Sequence, residues 1–447
     1  MVKRLYDGYL SHKNIRSMSN WIGVFYLACF VNVLLTSSTS VFGNIVFLLM
    51  VYITFRGGLI YCLPVVLIIN DGLGTAIMGQ LSFYWVALAL IILDLLITRW
   101  KNQLAAVKQS MLFFFVGILY SLHTLVFQYD MELRTPLNIL VFIVMLVYIY
   151  NKIEIKSVDL KIIIDLLGVS CVIVALHMVI TGGINYTTYS YEEALQWSRT
   201  SRYGIIGVGV GDPNFSGLRL IFGFVTVLHT KWPKWIKFVC AAIFLYCIVK
   251  TVSITAIIVL IIITSLIIIL QANPSKVIKA LFLLLIAASI GFIILSTVPL
   301  GSVSEQVELF KYRIEATLKA VIENNYDSAS SNRSSHFVEY MNYLSDTSRS
   351  PLNILFGCEH IPPADFDSFS HNTFIDWLVR FGYVGFILLM IVSIRKLGTH
   401  YRVWKKAPSE TNKYLLLIKV LYFIYSFTLS IYNGADVALH LMIMLII

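Results

Sequence analysis

Apolar runs of roughly 15 to 20 residues recur along most of this chain, and no other feature limits its fold so strongly. A bilayer core about 30 Å thick is crossed by about 20 apolar residues in a helix. Backbone N–H and C=O groups find no water in lipid, so only helices and closed barrels cross it. Barrel strands alternate apolar and polar residues; these runs do not. Composition agrees. Of 447 residues, 58% are hydrophobic and 13% are charged, against about 25% charged in a soluble domain. The sequence predicts an all-α, polytopic membrane protein, a single integral membrane domain over residues 1–447.

The predicted spans are 20–36, 41–55, 58–70, 82–98, 110–127, 137–151, 162–180, 205–229, 236–250, 253–271, 279–297, 371–393, 413–431 and 434–447. Some are short enough to be half-helices or re-entrant segments, so about 12 to 14 transmembrane helices are expected. The opening MVKRLYDGYLSHKNIRSMSN is polar and basic, and the apolar run after it lacks a small-residue cleavage site. That reads as a retained first helix rather than a removed signal. Basic residues gather at alternate junctions: Lys3, Arg4, Lys13 and Arg16; Arg56; Arg99, Lys101 and Lys108; Lys152, Lys156 and Lys161. The series continues with Lys231, Lys234 and Lys237; Lys276 and Lys279; then Arg395 through Lys413. The positive-inside rule puts these, and both termini, in the cytoplasm. The net charge of +10 then belongs to cytoplasmic loops and not to a nucleic-acid surface. Of six cysteines, all but Cys358 lie in apolar runs and no CxxC pair occurs. That argues against a disulfide framework and against a zinc site.

The remaining junctions face outward. Two are long, 181–204 and 298–370. The second holds ten Asp or Glu against five Lys or Arg, a net of −5, which leaves the rest of the chain at +15. Span parity, not the loop's own charge, decides its side. Loops of such length tend to be functional, and this one carries helical patterning. In SEQVELFKYRIEATLKAVIE, the residues Val307, Phe310, Ile314, Leu318 and Val321 recur every three or four, the period of an amphipathic helix. A second short helix is predicted through Phe337, Tyr340, Met341 and Leu344.

Near the middle of the chain, GVGVGDPNFSG (207–217) interrupts the apolar pattern. No lysine follows these glycines as a P-loop requires, and no soluble βαβ unit surrounds them. Asp212 followed by Pro213 reads as a helix N-cap and first helical residue. A helix is therefore expected from Pro213 to about His229, with the glycines up to Gly211 forming an unwound segment at the outer level. Non-helical backbone at that depth lines a cavity or is buried in protein. A helix start with its dipole behind it favours an anion. Arg199 and Arg202 precede the segment, and Arg219 lies about 9 Å further along the helix. An arginine within a span is costly and marks a candidate functional site. The alternative is that the glycines are packing positions and Arg219 snorkels outward.

A second outer cluster is PADFDSFSHNTFIDWLVRFGYVGF, leading into the late helices. Ser370 is the expected N-cap, placing His371 and Asn372 in the first turn. The positive helix end disfavours imidazolium, and a neutral imidazole can act as general base. Upstream, in SSNRSSHFVEYMNYLSDTSRSPLNILFGCEH, Arg333 sits among small polar residues just before a predicted short helix. Taken alone, His371 reads equally as a polar interfacial residue and Arg333 as a solvated loop residue.

Together the clusters resemble the bacterial O-antigen polymerase and ligase family. Arginine, glycines and then DPN (Arg202 to Asn214) look like its first motif. SNRSSHFVEY, PLNILFGC and SHNTFIDWLVRFGYVG follow in the family's order, on the predicted outer face. These motifs cover about a fifth of the chain. Cys358-Glu359 departs from the small residue and second glycine that the family often shows.

The resemblance implies glycan transfer at the outer leaflet of the bacterial cytoplasmic (inner) membrane, without cofactor, nucleotide sugar or metal. The donor would be an oligosaccharide on undecaprenyl diphosphate, and the acceptor another lipid-linked repeat unit. A chain-length regulator is a further partner the resemblance admits, besides membrane lipid. Arg202 and Arg333 match the family's arginines and are expected on the diphosphate; arginine offers it permanently charged, forked contacts. Arg199 and Arg219 are helpers outside the motif match. His371 matches the family histidine and is expected to activate the acceptor hydroxyl. Gly211, Asp212, Pro213, Asn214 and Asn372 are expected to shape the site. A ligase of the same family, transferring glycan to lipid A core, shares every motif. A flippase for lipid-linked oligosaccharide is the rival of another class, though such transporters often show internal repeats, and this chain shows none.

Overall fold

The computed structural model describes residues 12–35, 40–69, 83–97, 144–145, 148, 152, 160–185, 203–205, 213–271, 311–312, 315, 319, 322–323, 333–346, 349–357 and 372–429. They form helices, apart from one two-residue antiparallel strand pair. In chain order the elements are α1 (His12–Leu34), α2 (Ser40–Phe55), α3 (Leu59–Ile69), α4 (Phe83–Ile97), α5 (Leu160–Thr181), β1 (Ile184–Asn185) and β2 (Tyr203–Gly204). They continue as α6 (Pro213–His229), α7 (Lys234–Lys250), α8 (Ile254–Gln271), α9 (Arg333–Ser345), α10 (Pro351–Phe356), α11 (Thr373–Lys406) and α12 (Glu410–Tyr425). Six predicted spans fall within two residues of an observed helix: α2, α3, α4, α5, α7 and α8. The predicted spans 110–127, 279–297 and 434–447, and most of 137–151, lie outside the described residues. Leu160–Thr181 and the Phe381–Lys406 part of α11 are long and apolar enough to cross a membrane.

The bundle is organised around α6. Nearly every residue from Pro213 to Val227 is buried, Arg219 included, as expected of a helix that packs on all sides. α5, α7, α8 and α12 surround it. Two glycines set the spacing. A Cβ at Gly217 would lie 2.6 Å from the Ala256 Cβ of α8. One at Gly223 would lie 2.9 Å from the Cys171 Cβ of α5 and closer still to the Phe244 ring of α7. Small residues let backbones approach in this way, and dispersion then holds the helices together. At the C-terminal end of α6, Thr226 shares a hydrogen bond with Tyr414 of α12, 3.1 Å between oxygens. Just beyond it, the Lys231 N–H donates to Asp165 at the start of α5, 2.8 Å.

The sequence expectation of one uninterrupted helix over 371–393 is corrected. α11 starts at Thr373 and is broken at Gly382, where φ is 60° and ψ is −171°. Only glycine tolerates that region. The cause is α10. It ends at Phe356 with Gly357 in the left-handed conformation, and the Gly357 N–H donates to the Asn353 carbonyl, 2.8 Å. The backbone of Leu355 and Phe356 then lies where a Gly382 side chain would be. α9 leans on the first segment of α11: Tyr340, with Tyr343 and Leu344, packs on Ile375 and Val379. The face predicted for α9 is therefore only half right, since Phe337 and Met341 are exposed. In the segment 304–323, Lys311, Glu315 and Lys319 are helical and exposed. They form the polar side of the predicted amphipathic helix. Its apolar residues Val307, Phe310, Ile314, Leu318 and Val321 lie outside the described residues.

One predicted loop cation is placed differently. Lys152 is 8% exposed and pairs with Asp94 of α4 at 2.9 Å. Tyr148 donates to the same carboxylate oxygen, 2.6 Å, and its ring lies 5.1 Å from the ammonium. Removing one partner of such a buried pair strands the other charge and costs about 3–5 kcal/mol. Asp94→Asn should therefore lower the unfolding midpoint in detergent far more than Asp94→Asn combined with Lys152→Met. Gly382→Ala should cost at least about 2 kcal/mol, from strain and the clash with α10. Gly398→Ala, where no atom would meet the added Cβ, serves as the neutral control in the same melting experiment.

Candidate functional site

Pro213 is the first residue of α6, as expected; Asp212, the expected N-cap, lies outside the described residues. Asn214, in the first turn, is buried, and its side-chain oxygen accepts from the Ser253 hydroxyl, 2.9 Å. Ser253 also accepts from the Ala256 N–H, 3.2 Å, so one hydroxyl caps the start of α8 and ties it to the start of α6. Ser216 reaches the other way and accepts from the Ile205 N–H, 3.0 Å. This holds the strand segment against the same helix end. There Tyr203 pairs with Asn185 and Gly204 with Ile184, closing the predicted outer loop 181–204 at its base. Gly211, Asp212, Arg199 and Arg202 lie outside the described residues.

Arg219 is 4% exposed, and its Nη1 donates to the Ile68 carbonyl, 2.7 Å. A cation at the last turn of α3 satisfies carbonyls that the helix leaves over and complements its dipole. Part of this guanidinium is thus devoted to fastening α3 to α6, which the sequence reading of a phosphate helper did not include. Snorkelling outward, the other sequence alternative, does not describe a buried side chain.

At the second cluster, the expected cap is corrected. The N-cap of α11 is Asn372, not Ser370, with extended backbone and a side chain accepting from the Phe374 and Ile375 N–H groups, 2.9 and 3.2 Å. Asn372 is thus outside the first turn. Its preceding neighbour His371 lies outside the described residues. Register is fixed by α12. The Thr373 N–H donates to the Ser426 carbonyl, 2.9 Å, and its hydroxyl to the Leu429 carbonyl, 2.6 Å. The sequence span 413–431 is shortened as well, because α12 ends at Tyr425 and the turn after it receives Thr373. Arg333 is the first residue of α9, as its motif suggests; its side chain lies outside the described residues.

The two clusters share one end of the bundle. Tyr425 connects them: its hydroxyl lies 3.4 Å from where a Gly217 side chain would start, and the next residue accepts from Thr373. That hydroxyl is fully buried and makes no hydrogen bond among the described residues. Several polar groups here escaped the sequence reading. Asp376 is buried in the first turn of α11, where a carboxylate complements the helix dipole. Arg349 is buried over the Tyr343 ring, 4.2 Å to the centroid. Lys250 ends α7 beside Tyr203. Lys419 is buried along α12. An ionisable residue inside an apolar span was a usable signal for Lys419. Tyr425 and Lys250 offered no local signal, because their partners are distant in sequence. No family model matches the chain, and no curated protein matches it.

Capping by Asn372 is testable. Asn372→Ala should cost about 1 kcal/mol of stability, and Asn372→Asp, which keeps an acceptor, only a few tenths. Melting curves of the two purified variants check this.

Proposed function

We propose that this chain is a polytopic enzyme of the bacterial cytoplasmic membrane. It polymerises glycan repeat units carried on undecaprenyl diphosphate, at the outer leaflet. The carrying observation is that the starts of α6 and α11, which bear the two motif clusters, meet around the end of α12 through Tyr425 and Ser426. Further support comes from charge. Arg56, Lys231 and Lys237 lie at turns and helix ends away from that meeting point, as the positive-inside rule asks of a cytoplasmic face. Large apolar side chains face outward on several helices, among them Phe238, Leu245, Ile258, Ile261, Ile387 and Ile391. A lipid environment suits them.

In this reading, His371 takes the proton from the acceptor hydroxyl as that oxygen attacks the anomeric carbon of the donor. The bond from that carbon to the diphosphate oxygen breaks on the opposite face, so the centre inverts and undecaprenyl diphosphate leaves. Arg202 and Arg333 meet the charge that grows on the leaving group, with Arg199 beside them. Fixed donors of this kind commonly contribute a few kcal/mol each, and a general base about 10² to 10⁴ in rate. Arg219 contributes its charge from within the bundle while holding α3. Pro213 and Asn214, with Gly211 and Asp212 before them, set where the helix begins. Asn372 does the same for the helix after His371.

The test is genetic. Deleting the gene and restoring wild type should give a ladder of surface polysaccharide on a gel. His371→Ala, at equal protein level, should collapse it to one repeat unit. Loss of all attached glycan, the single repeat included, would assign the chain to a ligase or a flippase. An unchanged ladder removes His371 from the mechanism.

A further inference from the structure

Lys250 is the last residue of α7, half-buried, at the end of the bundle where α6 and α8 begin. Its ammonium lies 4.9 Å from the centroid of the Tyr203 ring. On another side it lies 3.7 Å from where a Gly182 side chain would start. Gly182 and Gly183 both have positive φ, 88° and 86°, so bare glycine backbone turns beneath the cation. Among the described residues no carboxylate pairs with Lys250 and nothing accepts a hydrogen bond from it. This differs from Lys152 and Lys413, two buried lysines that each face an acid. The position is well braced. Three residues on, Ser253 is bound to Asn214, and Tyr203 belongs to the strand pair whose next residue, Ile205, is bound to Ser216.

We infer that Lys250 is a further substrate-binding residue, a cation that holds the diphosphate of the polyprenyl donor at the start of α6. The inference rests on the polymerase reading and adds a contact which that reading lacks. The chemistry is that of a point charge. A lysine ammonium has three donors and no acceptor. An aromatic face satisfies it only weakly, whereas a phosphate oxygen gives a short, charge-assisted bond. The Tyr203 ring covers one side of the ammonium, at the end of the bundle where α6 starts. The dipole of that helix end favours an anion. The chain neighbour of Tyr203 is Arg202, the residue expected to clamp the diphosphate. Glycines at 182 and 183 keep that side open to a headgroup.

Binding of undecaprenyl diphosphate and of undecaprenol to the purified full-length chain in nanodiscs tests this. Wild type should prefer the diphosphate lipid. Lys250→Met should weaken diphosphate binding about tenfold, the size of one lost charge-assisted bond, with undecaprenol unchanged. Lys250→Arg should restore most of it, and Tyr203→Leu should weaken it less than Lys250→Met. Lys250→Gln repeats the test if the methionine variant melts early; it removes the charge and keeps a polar chain. Diphosphate binding that stays at the wild-type level in Lys250→Met and Lys250→Gln overturns the role of Lys250 and leaves the polymerase reading standing. A wild type that binds both lipids equally overturns both.

Discussion

The hydrogen bond from Ser253 to Asn214, 2.9 Å within the protein interior, is the contact on which the rest of the functional end depends. Two helices begin there, and each leaves backbone N–H groups without partners in its first turn. In a low-dielectric interior such groups cost heavily unless they are met. Ser253 meets one in its own helix through the Ala256 N–H, and its hydroxyl donates a hydrogen bond to the Asn214 side-chain oxygen. The starts of α6 and α8 are thereby held side by side. Close approach of Gly217 to Ala256 follows from that alignment, and Tyr425 of α12 then closes over both. Substituting either partner would separate two helix starts at once.

The same accounting recurs at α11. Its first N–H groups are met by Asn372, and the Thr373 N–H by a carbonyl from the turn after α12. The last turn of α3 is met by Arg219 from α6. The Thr373 N–H and the last turn of α3 are each met by a group from a distant part of the chain, so these ends cannot move independently of their partners. The proposed reaction, with a base at the acceptor and cations at the leaving group, would need such fixed placement, because small misplacements are costly in rate.

What sequence could supply was governed by locality. Helix positions came from apolar runs, and the start of α6 from proline at position 213, since both are properties of neighbouring residues. The cap of α11 was misassigned by two residues, because Ser370 and Asn372 are both good caps and the choice is made by Thr373 binding residues 426 and 429. Arg219 was legible as an anomaly within an apolar run, but not its partner, 151 residues away. Lys250 looked like the ordinary end of a span. Its interest comes from Tyr203 and Gly182, which reach it only after folding. Lys152 was counted with solvated loop cations, because nothing local announces a carboxylate at position 94.

The break at Gly382 shows how these constraints combine. A straight α11 would leave no room for α10, whose final backbone groups occupy the place of the missing side chain. Without α10 there, the segment from Arg349 to Gly357 would not be turned back over α11, and α9 before it would lose its seat on Ile375 and Val379. α9 begins with Arg333 and rests on α11 through Tyr340, seven residues later, about 10 Å along the helix. The first segment of α11 begins one residue after Asn372 and two after His371. One glycine conformation therefore fixes how far α9, which begins with Arg333, stands from the start of α11. A substitution at Gly382 would alter that spacing without replacing Arg333 or Asn372.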